Sequence, residues 1–209
     1  RQVYRFSDLD FEANKKDSNG IDWPIRYKDI APWYSHVEKF IGVNGKKEGL
    51  PQLPDGEFQK PMPWFALEET INERLERRAA DVALTNGRVA ILTGDLPGRS
   101  ACHYCGPCAR GCSTGSYFSS PSSTLPAAEA TGNLTLRANS VVERLEYDEE
   151  SGKISRVHVI DAISKERMTF SAKVFFLCAS TVGSTQILLN SKSESFPNGM
   201  ANGSGVLGQ

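Results

Sequence analysis

Val174-Phe175-Phe176-Leu177-Cys178-Ala179 runs without a polar residue into Ser180-Thr181-Val182-Gly183-Ser184 and on to Leu189. An unbroken apolar run predicts a β-strand covered on both faces, because alternation with polar residues is needed only where one face meets water. The small residues that follow predict a tight turn, and the apolar positions up to Leu189 predict a helix. Strand, small-residue turn and helix, in that order, are the grammar of a dinucleotide-binding sheet.

Upstream of this run the period changes to two. Residues 134–137, 141–147, 154–161 and 167–170 alternate as strands between turns, which predicts a small antiparallel meander. Nearer the N-terminus, Pro32 can open a helix on which Trp33, Val37 and Ile41 recur every fourth position before Gly42. Prolines 51, 54, 61 and 63 deny helix and central strand to the connection at 50–63. A second helix is expected from Glu68, with Ile71, Leu75, Ala79 and Val82 on one face and Asn86-Gly87 as its stop. Residues 89–93 read as a short strand, and 96–123 as a loop built around something. The organisation is therefore 1–93, irregular and helical; 94–130, cysteine-rich; and 131–209, meander, buried strand and helix.

With 209 residues, 18 Gly and 11 Pro, the chain has a globular composition. Lys and Arg (24) balance Asp and Glu (25), so no electrostatic footprint for nucleic acid exists. No apolar run approaches the roughly 18 residues of a membrane span. The chain opens at Arg1 and closes just after a glycine-rich stretch, Gly203 to Gly208, so it reads as an internal piece of a longer protein.

Four of the five cysteines, Cys102, Cys105, Cys108 and Cys112, stand as C-x2-C-x2-C-x3-C. Thiolates so close repel one another unless a cation binds them. Four thiolates on one short loop suit an iron-sulfur cluster. Structural zinc usually adds a second, distant cysteine pair, and disulfides within a single loop would staple almost nothing, so zinc and disulfides are the lesser readings. The spacing is that of a bacterial ferredoxin run, with Ser113 in place of its proline.

Several segments together resemble the glucose-methanol-choline (GMC) oxidoreductases. Asp22-Trp23-Pro24-Ile25-Arg26-Tyr27-Lys28-Asp29-Ile30-Ala31-Pro32-Trp33-Tyr34, then Glu38 and Gly42-Val43, is similar to that family's WP-x-x-Y-x-D-x-x-P-x-Y and E-x-x-x-GV segments. Asn133-Leu134-Thr135-Leu136 with Val142 resembles its NLT-V segment, and Ala179 through Ser191 resembles its second signature, with Ser180 and Thr185 replacing a usual glycine and proline.

The resemblance implies an α/β fold with α+β character: part of a FAD/NAD(P)-binding Rossmann-like domain with an antiparallel β-meander, plus part of a substrate-binding or cap region. It implies FAD as cofactor, with the Val142 main chain at the adenine and Ala179 and Ser180 as further flavin contacts. The activity implied is oxidation of CH-OH groups of sugars, sugar acids or other alcohols. The family's glycine fingerprint and its active-site histidine are absent, so no residue here is assigned a catalytic role and the chain alone is expected not to turn over substrate.

Among GMC enzymes, the iron-sulfur-containing large subunits of bacterial sugar and sugar-acid dehydrogenases have a C-x5-C-x3-C pattern, which Cys102, Cys108 and Cys112 reproduce; Cys105 is an added thiol. A three-iron (3Fe-4S) or four-iron (4Fe-4S) cluster is then expected, with a small subunit or cytochrome as electron acceptor. A periplasmic or membrane-associated location follows only at family level. The opposing class is a non-catalytic zinc- or iron-sulfur-binding module.

Other polar residues read plainly. His36, His103 and His158 have no visible catalytic partner, although His103 could donate to a cluster sulfur. Cys178 reads as a small core residue, and Glu73 with Arg77 as a helix-surface pair.

Overall fold

The computed structural model describes residues 2–18, 20–79 and 81–209. Arg1, from which the fragment reading starts, lies outside them. The chain divides into two units, one ending at Leu134 and the other Thr135–Gln209.

In the first unit the regular elements are helices α1 (Asp8–Phe11), α2 (Ala13–Lys16), α3 (Tyr27–Ile41), α4 (Ala66–Arg78) and α5 (Thr124–Glu129), with single 3-10 turns at Cys108–Arg110 and Ser120–Ser122. Helix α3 starts five residues before Pro32, because the Asp29 carboxylate accepts the Arg26 N–H at 2.8 Å and places an acid at the positive helix end. Pro32 then sits inside the helix and forgoes one backbone hydrogen bond. The helix ends as read: Gly42 is left-handed at φ 78°, and a Cβ there would strike the Leu92 side chain.

The face that α3 buries matches the one its periodicity suggests only at Ile41. Glu38 and Ile41 are inside, whereas Trp33 is 70% exposed and Val37 and Phe40 also face out. A charged partner decides this, because Arg5 grips Glu38 from two nitrogens, at 2.8 and 2.6 Å, with both side chains buried. Tyr27 hydroxyl and Ser35 Oγ accept two further Arg5 bonds, at 2.6 and 3.0 Å, and Tyr34 lies beneath the guanidinium. The aromatic motif around α3 is thus a seat for Arg5.

Helix α4 stops at Arg78, short of the expected Asn86-Gly87, and buries none of its residues. Asn86 is used elsewhere: its amide donates to Glu48 and its carboxamide to the Met62 carbonyl. Glu73 and Arg77 do pair on the surface, at 3.5 Å. The expected strand at 89–93 is reduced to isolated bridges, Val89 to Gln2 and to Asn44, and Ile91 to Tyr117. Ile41, Val43 and Ala90 form the core with Val3, Phe58 and Phe118.

The second unit contains the expected meander. Strands β1 (Ser140–Asp148), β2 (Lys153–Asp161) and β3 (Arg167–Ser171) pair antiparallel in sequence order, with Leu145 opposite Val157 and His158 opposite Thr169. Helix α6 (Ser180–Asn190) supplies Ile187 to a core with Leu145 and Met200. Just beyond it the buried Ser191 hydroxyl accepts the Leu145 N–H at 2.8 Å and donates to the Ile187 carbonyl at 2.6 Å, tying the helix end to the free edge of β1.

Two expected strands fail here. Residues 134–137 pair with nothing regular, and Asn139, left-handed at φ 55°, turns the chain only then into β1. Residues 174–179 are irregular and carry no ladder, with Phe175 and Leu177 half-buried, Val174 65% exposed and Phe176 88% exposed. A strand covered on both faces needs neighbours on both, and among the described residues only the Leu177 side has one. Cys178 shares this exposure, so it is not the core residue expected. No parallel sheet occurs among the described residues.

Candidate cofactor site

Both ends of the cysteine loop are fastened to Leu92. Cys102 donates its N–H to the Leu92 carbonyl at 2.9 Å, and Ser116 Oγ receives the Leu92 N–H at 3.0 Å. Between these anchors Tyr104, Gly106 and Gly111 all take positive φ, so the backbone curls on itself. The result is one small enclosed cavity of about 20 Å³ lined by Cys102, Cys105, Cys108 and Cys112, with His103, Thr114 and Tyr117.

The four thiols suit an iron-sulfur group in kind and share one cavity. Among the described residues, however, no three His, Cys, Asp or Glu side chains lie close enough together to hold a metal ion. The sulfurs therefore do not stand around a common ligating centre. A cavity of about 20 Å³ has room for about one water, so a cluster requires the loop to rearrange. Nothing lies within 4 Å of a Cβ placed on Gly106 or Gly111, so no neighbour wedges the loop there.

The cysteines are not equivalent. Cys105 and Cys108 are exposed, whereas Cys102 and Cys112 are half-buried. Cys102 Sγ accepts the Tyr104 N–H at 3.3 Å. Cys112 Sγ is 3.4 Å from the Thr114 hydroxyl and accepts the Tyr117 N–H at 3.4 Å. Those bonds, the Thr114 one foremost, hold the Cys112 thiol below its usual range against the opposing effect of burial. Thr114 and the buried Arg99 behind this turn escaped sequence reading, since neither has a spacing signal.

The expected flavin contacts all fall in the second unit. Val142 lies on β1 with its side chain against the Leu145, Ile187 and Met200 core, and the strand register slips immediately after it. Ala179 is the N-cap of α6 and supplies no side-chain cap; Ser180 opens the helix at φ 64°. That is the left-handed conformation a glycine adopts without cost, at the very position where the signature usually has one. The first helical turn is exposed at Ser180, Thr181 and Val182.

Of the histidines, His36 lies on α3 and His103 at the cysteine cavity. His158 does have a partner, Glu146 at 2.6 Å across the β1–β2 pair, with Arg156 on the same carboxylate. This cluster lies on the meander. No described helix is long and apolar enough to cross a membrane.

The family model described as GMC oxidoreductase matches residues 17–195. The chain is 28% identical to 2-methyl-1,2-propanediol dehydrogenase of Mycolicibacterium austroafricanum, over 98% of this chain and 37% of that protein. It is also 28% identical to paromamine 6'-oxidase of Streptomyces fradiae, over 99% of this chain and 37% of that protein. Fructose dehydrogenase large subunit of Gluconobacter japonicus is 23% identical, over 99% and 38%. The chain thus spans a little over a third of the length of these curated relatives. With the family model covering both the α3 motif and the α6 segment, the chain belongs to the GMC oxidoreductase family.

Proposed function

We propose that the intact protein is a FAD-dependent dehydrogenase of CH-OH groups in sugars, sugar acids or related alcohols, with electrons leaving through an iron-sulfur cluster on loop 102–112. The observation that carries this reading is the family match through residues 17–195, a span that includes a loop whose four cysteines line one cavity. The relatives point the same way, since they are named for 2-methyl-1,2-propanediol, paromamine and fructose.

A bound flavin would supply hydride acceptance, and a cluster would supply a one-electron exit. This chain's part is to hold them. The uncapped start of α6, with left-handed Ser180, would let Ala179 and Ser180 approach the flavin closely, as the family's glycine does, and the Val142 main chain would meet the adenine. Residues 174–179, without a strand partner here, would become a strand of a Rossmann-like sheet with neighbours on both edges. Cys102, Cys108 and Cys112 would ligate the iron, with Cys105 deciding between a three-iron and a four-iron cluster. The large-subunit relative hints at a partner subunit, and a small subunit or a cytochrome would be the electron acceptor.

The test uses the full-length protein purified anaerobically. Flavin absorbance bleached by a sugar or diol, together with iron and acid-labile sulfide, is the expected result. Cys108→Ser should remove the cluster and acceptor reduction while flavin remains bound. Absence of flavin would overturn the enzyme reading, and zinc without iron would overturn the cluster reading alone.

A further inference from the structure

An open groove of about 430 Å³ runs between α3, the turn at 96–99 and α5. Phe40, Leu96, Pro126 and Ala127 give it apolar walls, and no acidic residue lines it. Two of its polar residues, Arg99 and Ser123, are buried, at 6% and 8% exposure. Lys39 also lines it, but its side chain is 65% exposed and already has Glu57 at 4.0 Å. Apolar walls with a few polar groups, at this volume, are the make-up of a small-molecule site.

Arg99 is the member that points to a ligand. Its Nε donates to the Gly115 carbonyl at 2.8 Å; Nη1 to the Ile41 carbonyl at 2.9 Å and Ser123 Oγ at 3.3 Å; Nη2 to the Ser116 carbonyl at 3.3 Å. All four acceptors are neutral, and among the described residues no carboxylate pairs with it. A buried guanidinium ordinarily has an anion beside it, because removing the charge from water costs several kcal/mol. Burial accordingly pulls Arg99 below the usual arginine range, and only the Cys112 thiol opposes that shift. The donor count is incomplete as well. A guanidinium carries five N–H groups, two of them on Nη2, and among the described residues only one Nη2 hydrogen has an acceptor. Ser123 Oγ accepts from Nη1, and no described group accepts its own hydrogen. One positive charge and two uncommitted donors thus stand together in the wall of a groove that carries no negative charge.

We propose that this groove is a binding site for a small organic acid, its carboxylate against Arg99 and Ser123 and its apolar body along Phe40, Leu96, Pro126 and Ala127. The chemistry selects this class. A carboxylate brings one charge and two acceptor oxygens, which match the one charge and the two donors. A phosphate brings more charge and a third oxygen, for which the groove has no donor. A sugar or diol would press its hydroxyls on apolar walls with nothing to bond, so the groove selects against the substrates proposed above. The inference rests on neither flavin nor iron.

The experiment is calorimetric titration of the full-length protein with three probes: decanoate; acetate, which is the carboxylate without the body; and decyltrimethylammonium, which is the body with the opposite charge. Decanoate should bind at one site, acetate too weakly to register, and decyltrimethylammonium not at all. Arg99→Gln should weaken decanoate about tenfold or more, the worth of a hydrogen bond to a charged group. Ser123→Ala, which leaves the charge in place, should weaken it by about threefold to tenfold. Ala127→Phe, which fills the groove, should abolish binding. Should Arg99→Gln fail to fold, the other two variants decide. Undiminished decanoate binding by Ala127→Phe puts the acid elsewhere and overturns the proposal, as does absence of binding to wild type. Decyltrimethylammonium binding as tightly as decanoate overturns it too, because the groove would then be reading the apolar body alone.

Discussion

The two units solve the same problem by opposite means. In Thr135–Gln209 a three-stranded sheet satisfies its own backbone, and Leu145, Ile187 and Met200 seal α6 to it. In the unit ending at Leu134 the sheet is replaced by single bridges, and three buried arginines do much of the joining. Arg5 takes Glu38; Arg88 takes Asp55 at 2.9 Å and the Pro54 carbonyl at 2.6 Å above the Phe58 ring; Arg99 takes four neutral acceptors. A guanidinium carries five donors, and irregular backbone leaves carbonyls unmet, so each arginine stands in for a stretch of ladder. The contrast teaches that a long loop region can be rigid at the positions that matter without regular structure, provided cations are buried in it.

The contrast is testable where the charges are least replaceable. Glu38→Ala strands the Arg5 guanidinium and should cost about 3–5 kcal/mol. Hydrogen exchange should then accelerate around α3 and Val89 and leave the meander protected. Uniform acceleration in both units would break the comparison.

Ser191→Ala probes the other unit through its one buried polar link. The Leu145 N–H loses its acceptor, and a loss of about 1–3 kcal/mol is expected in urea unfolding. Ser180→Gly works in the opposite direction: relief of a left-handed serine should stabilise by about 1 kcal/mol, seen as a raised melting temperature.

The smallest effect is one of pH. Burial opposes ionisation of Asp55, yet the amides of Glu48 and Gly49 and the Arg88 charge hold its carboxyl below the usual range. Its contribution is then present above the unfolded carboxylate value of about 3.9 and is lost as pH falls through the lower folded value. The melting-temperature gap between wild type and Asp55→Asn should accordingly be constant near neutrality and narrow below about pH 4. A gap that persisted unchanged at pH 2 would remove Asp55 from the arginine network.

What could be read from the sequence follows from the range of each interaction. The meander was legible because period two and turn residues are local, and the cysteines because their spacing is. The end of α3 was legible at Gly42, but not its buried face, since Glu38 goes inside only when Arg5, 33 positions away, meets it. The same holds for Arg99, which reaches Ile41 across 58 positions. Residues 174–179 show the converse: the run predicts side chains hidden from water, yet here only Phe175 and Leu177 are half-buried, since a local run says nothing of which neighbours would cover it.

That run also bears on handling the chain by itself. Phe175 to Cys178 form an uncharged, proline- and glycine-free stretch outside any helix or strand, with Lys173 the nearest charge before it. Such a stretch with unpaired backbone is a template for intermolecular strand addition. Expressed without further sequence, the polypeptide should stick to itself through these residues, with turbidity rising with concentration. Phe176→Lys, placing a charge on the most exposed of them, should keep it in solution.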